Sequence, residues 1–333
     1  MRGSRPYAGT MRLVALALAL SVVVSAQAAT KLRKPAAGKG IQTKVGQYTI
    51  EPKADIEMCE YRRLGNAKAM DVARIKLRMP PGAHHFALWA YSGAQADDTF
   101  PDGPVESVGC TGMARDEFIP QLLIPTTSPN VDFKFPKGVA LRLEPHQRTF
   151  LNPHMRNAGS EPVVPDVRFN FYAAKKGTVK HYAEGYTFGN STNIKIPAGG
   201  DQTLTSEWVV PINMTIVHMT THQHSHGTYA KVELVEEDGS RTLLVESYDW
   251  EHPRSVSPQG GLRLEKGRKM RVSCTWHNTE THEVKFGPET TDEMCYAIGF
   301  FYRDDGDTTP VVGSGCLPSK TGLLCVGVDA VPN

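Results

Sequence analysis

The chain has 333 residues, 22% of them charged, with a net charge of +2. That length accommodates two ordinary domains, and so even a balance supplies no electrostatic footprint for nucleic acid. With 30 glycines and 23 prolines beside short runs of Val, Thr, Tyr and Phe, the composition favours strands joined by turns over long helices.

Taken in chain order, the first feature is Arg12 ahead of the apolar run LVALALALSVVV (13–24), followed by SAQAA, where Ala26 and Ala28 suit an A-x-A cleavage site. This is the pattern of a secretory signal and it assigns 1–28 to one. The run is too short to span a bilayer comfortably and no later stretch approaches it, so a secreted or periplasmic protein without a membrane span is expected. The basic stretch TKLRKPAAGKGIQTK (30–44) is poor in large apolar residues and reads, within 29–47, as a flexible leader. Strand-like runs follow: DVARIKLRM (71–79), HFALWAY (85–91), DVRFNFYA (166–173), NIKIP (193–197), SEWVVP (206–211), YAKVELVEE (229–237), RTLLVESYDW (241–250) and, last, YAIGFFY (296–302). In the first, Val72, Arg74, Lys76 and Arg78 alternate with Ala73, Ile75, Leu77 and Met79, as on a strand with one wet face. A boundary near AAKKGTVKH (173–181) divides the mature chain into an N-terminal domain over 48–178 and a C-terminal domain over 179–333. The fold expected is all-β, two antiparallel β-sandwich (jelly-roll-like) domains.

Export gives the six cysteines, 59, 110, 274, 295, 316 and 325, an oxidising setting, and an even number there reads as disulfides. Nearest-neighbour pairing gives Cys59–Cys110, Cys274–Cys295 and Cys316–Cys325.

Four stations carry metal-ligand chemistry. In PPGAHHFALWAY, His84 and His85 are adjacent. Neighbours on a regular strand face opposite sides, so both reach one ion only at an irregularity, which Pro80-Pro81-Gly82 offers. LNPHMRNAG supplies His154, with His146 in EPHQRTF as a rival. In HMTTHQHSHG, His218, His222, His224 and His226 all fall on even positions, one face of an extended strand. Imidazoles so arrayed suit a transition metal, whereas HMTTH lacks the glutamate of a zinc-protease HExxH helix. Finally, TTDEMC places Met294 between acids and Cys295. A methionine there is ordinary packing material, or a soft sulfur that favours copper over zinc. A blue-copper carrier also uses His, Cys and Met, but no histidine follows Cys295 at the short spacing such sites use.

In their order and nearly equal spacing the four stations resemble the copper type II, ascorbate-dependent monooxygenases, the family of peptidylglycine α-hydroxylating monooxygenase and dopamine β-monooxygenase. The resemblance runs from about Tyr48 to Tyr302 through AHHFALWAY, LNPHMRN, HQHSHG and TTDEMC. It implies two copper ions per chain, one held by His84, His85 and His154 and storing an electron. The other, held by His222, His224 and Met294, is where O2 and substrate meet, with ascorbate as reductant. It favours His154 over His146, and His222 and His224 over His226, and it matches a Cys274–Cys295 bridge. Phe86 departs from the family's methionine. Thr220, Tyr296 and Ile298 stand where peptide-hydroxylating members carry an arginine, an asparagine and a tyrosine, so a peptide carboxylate has no clamp. The function implied is hydroxylation of a C–H bond in a small organic substrate. The alternative is a secreted copper-binding protein without turnover.

Overall fold

The alternation in DVARIKLRM sets one face of a strand into the core from Ile75 onward: Ile75, Leu77 and Met79 are buried between more exposed neighbours. A bulge alters the parity before that. Tyr172 pairs with Arg74 and Ala173 with Val72, so Ala73 is the extra residue and Val72 also turns inward. The computed structural model describes residues 31–92, 102–106, 119–126, 128–189, 193–287, 289–304, 316–319 and 322–326, and every regular element among them is a strand.

The first half supplies β1 (Gly40–Lys44), β2 (Asp55–Arg63), β3 (Met70–Arg78), β4 (Ala83–Ser92), β5 (Val105–Glu106), β6 (Ile119–Thr126), β7 (Asn130–Lys134), β8 (Val139–Leu143), β9 (Arg148–Arg156) and β10 (Arg168–Ala173). The second half supplies β11 (His181–Gly189), β12 (Lys195–Ile196), β13 (Asp201–Val209), β14 (Met214–His222), β15 (Gly227–Val235), β16 (Arg241–Ser247), β17 (Ser255–Val256), β18 (Leu262–Leu264), β19 (Lys269–His277), β20 (Val284–Lys285), β21 (Tyr296–Arg303), β22 (Cys316–Ser319) and β23 (Gly322–Val326).

The fold is all-β. In the first half, a sheet of order β5-β2-β9-β4-β6 faces the strands β1-β10-β3-β8; in the second, β13-β19-β15-β16 faces β11-β21-β14-β17. The two facing sets form one continuous sheet, because β8 pairs in parallel with β11 at Val139, Ala140 and Leu141. Two large apolar cores result among the described residues, with a small third cluster at Cys59 and Phe150. One centres on Phe86, Leu88, Leu151, Phe169 and Phe171; the other is built on Trp208, Met219, Val232, Trp276 and Phe301. Val217 and Phe300, from the second half, belong to the first core.

The flexible leader expected over 29–47 is corrected by β1, which lies inside it and pairs antiparallel with β10 from Gly40↔Tyr172 to Lys44↔Arg168. Its backbone finds partners in that ladder, Gln42 bonds Leu32 O and Asn170, and Val45 is buried. The proposed signal segment 1–28 lies outside the described residues.

Cys274 and Cys295 form a disulfide. Cys59 is also disulfide-bonded, but its expected partner, Cys110, lies outside the described residues. Cys316 and Cys325 face each other in backbone register, and their side chains lie outside the description.

Candidate metal centre

His84 and His85 stand at the start of β4, and the irregularity that two adjacent ligands need is present. Ala83 pairs with Met155 of β9 and His85 with His154, leaving His84 as the extra residue of a bulge. The same register brings His154 directly across from His85. One ring nitrogen of each of His84, His85 and His154 lies within 4.8 Å of those of the other two, and their ring centroids are 4.9–5.2 Å apart. Pro153 sits in this central strand because the β2–β9 ladder lapses between Glu57↔His154 and Glu60↔Leu151, so its missing N–H breaks no pairing.

The even-position reading of the histidine-rich stretch holds only to His222. There β14 ends, and Gln223 to His226 leave the extended conformation for a turn. That turn is closed by Gly227 N donating to His224 O and packed so tightly that a Cβ at Gly227 would lie 2.8 Å from Gln223. His222 and His224 nonetheless stay together, with centroids 5.1 Å apart. His218 bonds Ser257 Oγ at 3.0 Å through Nδ1 and lies against Phe133. His226 is buried, with Nε2 3.2 Å from Thr291 O. Both extra histidines therefore have structural partners.

The acids around Met294 hold its turn. Asp292 N donates to Glu289 O, and Glu289 N donates to Asp292 Oδ2. Glu293 is fully buried and ties this turn to the histidine turn. Its carboxylate accepts from the backbone N–H of His226 at 2.7 Å, of His224 at 2.9 Å and of Met294 at 3.2 Å, and from the Trp276 indole at 2.7 Å. Burial pushes its pKa up to about 7, against the pull of those four bonds. All four partners donate, the pattern suited to an ionised carboxylate. Met294 is half-buried and outside both apolar cores. It lies two residues before Tyr296, which pairs with His222, while the next residue, Cys295, is anchored to Cys274 on β19.

The two histidine groups approach each other. His84 lies 6.0 Å from His224 and His85 lies 6.3 Å from His222, centroid to centroid, so five rings from both halves line one interior space. Burial lowers the pKa of His84, His85 and His222, and that of His224 to about 3, with neighbouring rings adding to the shift. His84, His85, His222 and His224 are therefore neutral near pH 7, the ligating form. Four of the five rings carry buried nitrogens without a partner: both of His84, and Nδ1 of His85, His154 and His224. Buried polar atoms ordinarily find partners, and a set of orphaned imidazole nitrogens facing one another fits a copper-type cation.

His146 lies elsewhere. It precedes β9, eight positions from His154, roughly 26 Å along an extended strand, in a turn where its φ is 48°. Sequence reasoning did not single out Asp55, Glu57, Thr290 or Trp250. Asp55 Oδ1 and Thr290 Oγ1 lie 2.7 and 3.1 Å from His154 Nε2, Glu57 Oε1 is 3.4 Å from His85 Nε2, and Trp250 lies 5.0 Å from the His84 ring. The available signal was the alternation Asp55, Glu57, Cys59 on one strand face, legible only once β2 is recognised as a strand.

Residues 192–317 match the model of the family described as copper type II ascorbate-dependent monooxygenase, C-terminal domain. Among curated proteins, none matches the chain. Solved structures with detectable similarity include the major capsid protein P2 from bacteriophage PM2, at 11% identity and a TM-score of 0.32 over 79% of this chain and 97% of that one. PBSX exported protein XepA is similar at 8% identity and a TM-score of 0.18, over 71% and 86% respectively. At those scores neither bears on fold or function.

Proposed function

We propose, on the premise that residues 192–317 belong to the C-terminal domain family of the copper type II ascorbate-dependent monooxygenases, that this protein is an exported dicopper enzyme that hydroxylates a C–H bond of a small organic substrate with O2. The observation that carries the reading is the convergence of five imidazole rings, four with partnerless buried nitrogens, beside the turn that bears Met294. His84, His85 and His154 hold one copper; His222, His224 and Met294 hold the other. Copper supplies one-electron chemistry with O2 when bound, and ascorbate is the reductant. The soft thioether favours Cu(I) at the second position, and Glu293 and the Cys274–Cys295 bridge restrain the turn that presents it.

We assign substrate selection to a cavity of about 250 Å³ lined by His218 and Thr220 of β14, the strand that ends at His222, together with Phe133, Ser255 and Ser257. It includes Asp132, whose carboxylate is held by Arg74 at 2.6 Å and Lys76 at 3.1 Å. Burial lowers the His218 pKa to about 4, so this wall presents hydroxyls and an aromatic ring without an unpaired charge. A small uncharged substrate fits that lining, and a peptide carboxylate does not. The domain division at 178/179 belongs to the same reading, each half contributing one ligand set.

The test is loading of the purified protein with copper, followed by ascorbate under ¹⁸O2. Two coppers per chain, ascorbate-dependent O2 uptake and ¹⁸O in a hydroxylated product are expected. Copper binding with no O2 uptake across neutral aromatic and aliphatic compounds would assign the chain to non-catalytic copper binding.

A further inference from the structure

Asp55 and Glu57 occupy the same face of β2 and meet the far side of the first histidine set. Glu57 sits opposite His154 in the β2–β9 register, and Asp55 opposite Arg156. Asp55 Oδ1 is 2.7 Å from His154 Nε2, and Glu57 Oε1 is 3.4 Å from His85 Nε2. On both rings the other nitrogen, Nδ1, is buried and partnerless. The geometry favours one tautomer: Nε2–H of His154 donates to Asp55, Nε2–H of His85 is shared between Glu57 and Asn152 Oδ1, also 3.4 Å away, and Nδ1 of each keeps its lone pair for an ion. The other set is backed by backbone instead of by carboxylates: the His224 ring is hydrogen-bonded by backbone groups of Glu289 and Asp292. The His224 backbone N–H bonds Glu293, but neither ring there has a carboxylate partner among the contacts of the described residues.

We propose that Asp55 and Glu57 are positioning residues that make the two copper sites electronically unequal, lowering the reduction potential of the first below that of the second. The inference rests on the copper reading above. A carboxylate accepting the ring N–H makes the imidazole more basic and places negative charge near the ion, which favours Cu(II) over Cu(I). The thioether of Met294 favours the opposite state. With copper held at both sites, transfer of one electron from the first ion to the second would then be downhill. Asp55, at the shorter distance, carries the larger share. It also accepts a hydrogen bond from Thr290, whose Oγ1 is 3.1 Å from His154 Nε2. That link ties the first ligand set to the turn leading to Met294.

The experiment uses the full chain carrying His222→Ala and His224→Ala, which confines copper to the first site. Cu(II) affinity is read by competition with nitrilotriacetate and Cu(I) affinity with bathocuproine disulfonate. In that background Asp55→Asn is expected to weaken Cu(II) binding about tenfold more than Cu(I), equivalent to a rise of about 59 mV for a one-electron couple. Glu57→Gln moves the ratio in the same direction by less, and Asp55→Glu, which keeps the charge, restores most of it. An Asp55→Asn protein that still binds one copper with an unchanged Cu(II)/Cu(I) ratio overturns the inference while leaving the copper reading intact. A background protein that binds no copper overturns both. Should Asp55→Asn fail to fold, Glu57→Gln decides, and an unmoved ratio there overturns the proposal.

Discussion

Glu293 offers the sharpest test of how the proposed second ligand set is held. One of its oxygens, Oε2, accepts from His224 N, Trp276 Nε1 and Met294 N; the other, Oε1, accepts from His226 N. Glu293→Ala removes the acceptor of four donors where Glu293 itself is 0% exposed. At about 1–3 kcal/mol for each donor left unmade, the loss reaches about 4 kcal/mol even at the low end, a large part of the 5–15 kcal/mol that holds a typical domain. Glu293→Gln is milder. Its oxygen can face the three-donor side, but its amide N–H₂ then meets the His226 N–H, donor against donor, at a cost of about 1–3 kcal/mol.

The expected order of stability is therefore wild type, Gln, Ala, read from urea unfolding. Because the damage is local, hydrogen exchange at the amides of His224, His226 and Met294 should accelerate well before the rest of the chain. Copper analysis should show the Ala variant keeping the ion at His84, His85 and His154 and losing the other. An Ala variant within about 1 kcal/mol of wild type, with both coppers bound, would refute the role given to this carboxylate.

Other consequences are as direct. The Cys274–Cys295 bridge spans a sequence separation of 21, worth about 3 kcal/mol in the chain-entropy model, so replacing both cysteines by alanine should lower the unfolding free energy by that order. An unchanged urea midpoint would contradict it. His218 has its pKa lowered to about 4 by burial, so the unfolded chain binds a proton at this site below about pH 6.5 while the folded chain does not. Stability should fall as pH drops through that window, by about 2 kcal/mol from this group between pH 6.5 and 5; His218→Asn should lessen the slope by that share, the lowered histidines of the metal centre supplying the rest, and an unchanged slope would exclude His218 as a contributor. His154→Ala should remove one copper and stop turnover, whereas His146→Ala should change neither by metal analysis and oxygen electrode.

Legibility in the sequence followed the range of the forces involved. Strand β3 and the buried run at β21 were readable because alternation and apolar runs are local signals. The bulge at His84 was foreseeable because adjacent ligands demand one, and Pro80-Pro81-Gly82 stands beside it. The turn at His224–His226 was not. An even-position count assumes extended backbone, and what ends the strand is a long-range clamp, Glu293, reaching across 69 positions to His224 N. For the same reason Asp55 and Glu57 passed unnoticed: their meaning comes from the register of β2 on β9, which no local pattern encodes. β1 inside the expected leader is a third case, since a polar basic strand is held chiefly by backbone pairing to β10 and by partners distant in sequence, such as Asn170 for Gln42.

The convergence of the two histidine sets has a structural cause in the join between the halves. If each half were a sandwich tethered only by a linker, nothing would fix the distance between them. Here β8 pairs with β11, so hydrogen bonds run across the boundary, and Val217 and Phe300 send apolar surface from the second half into the first core. Parting the halves would break that ladder and expose those side chains, at about 25 cal/mol for each Å² uncovered. Val217 and Phe300 stand on the same strands, β14 and β21, that deliver His222 and lead back to Met294. The contacts that hold the halves together therefore also set the approach of His222 to His85 and of His224 to His84. A substitution that empties this contact, such as Phe300→Ala, acts on the spacing of the two sets without touching any ligand.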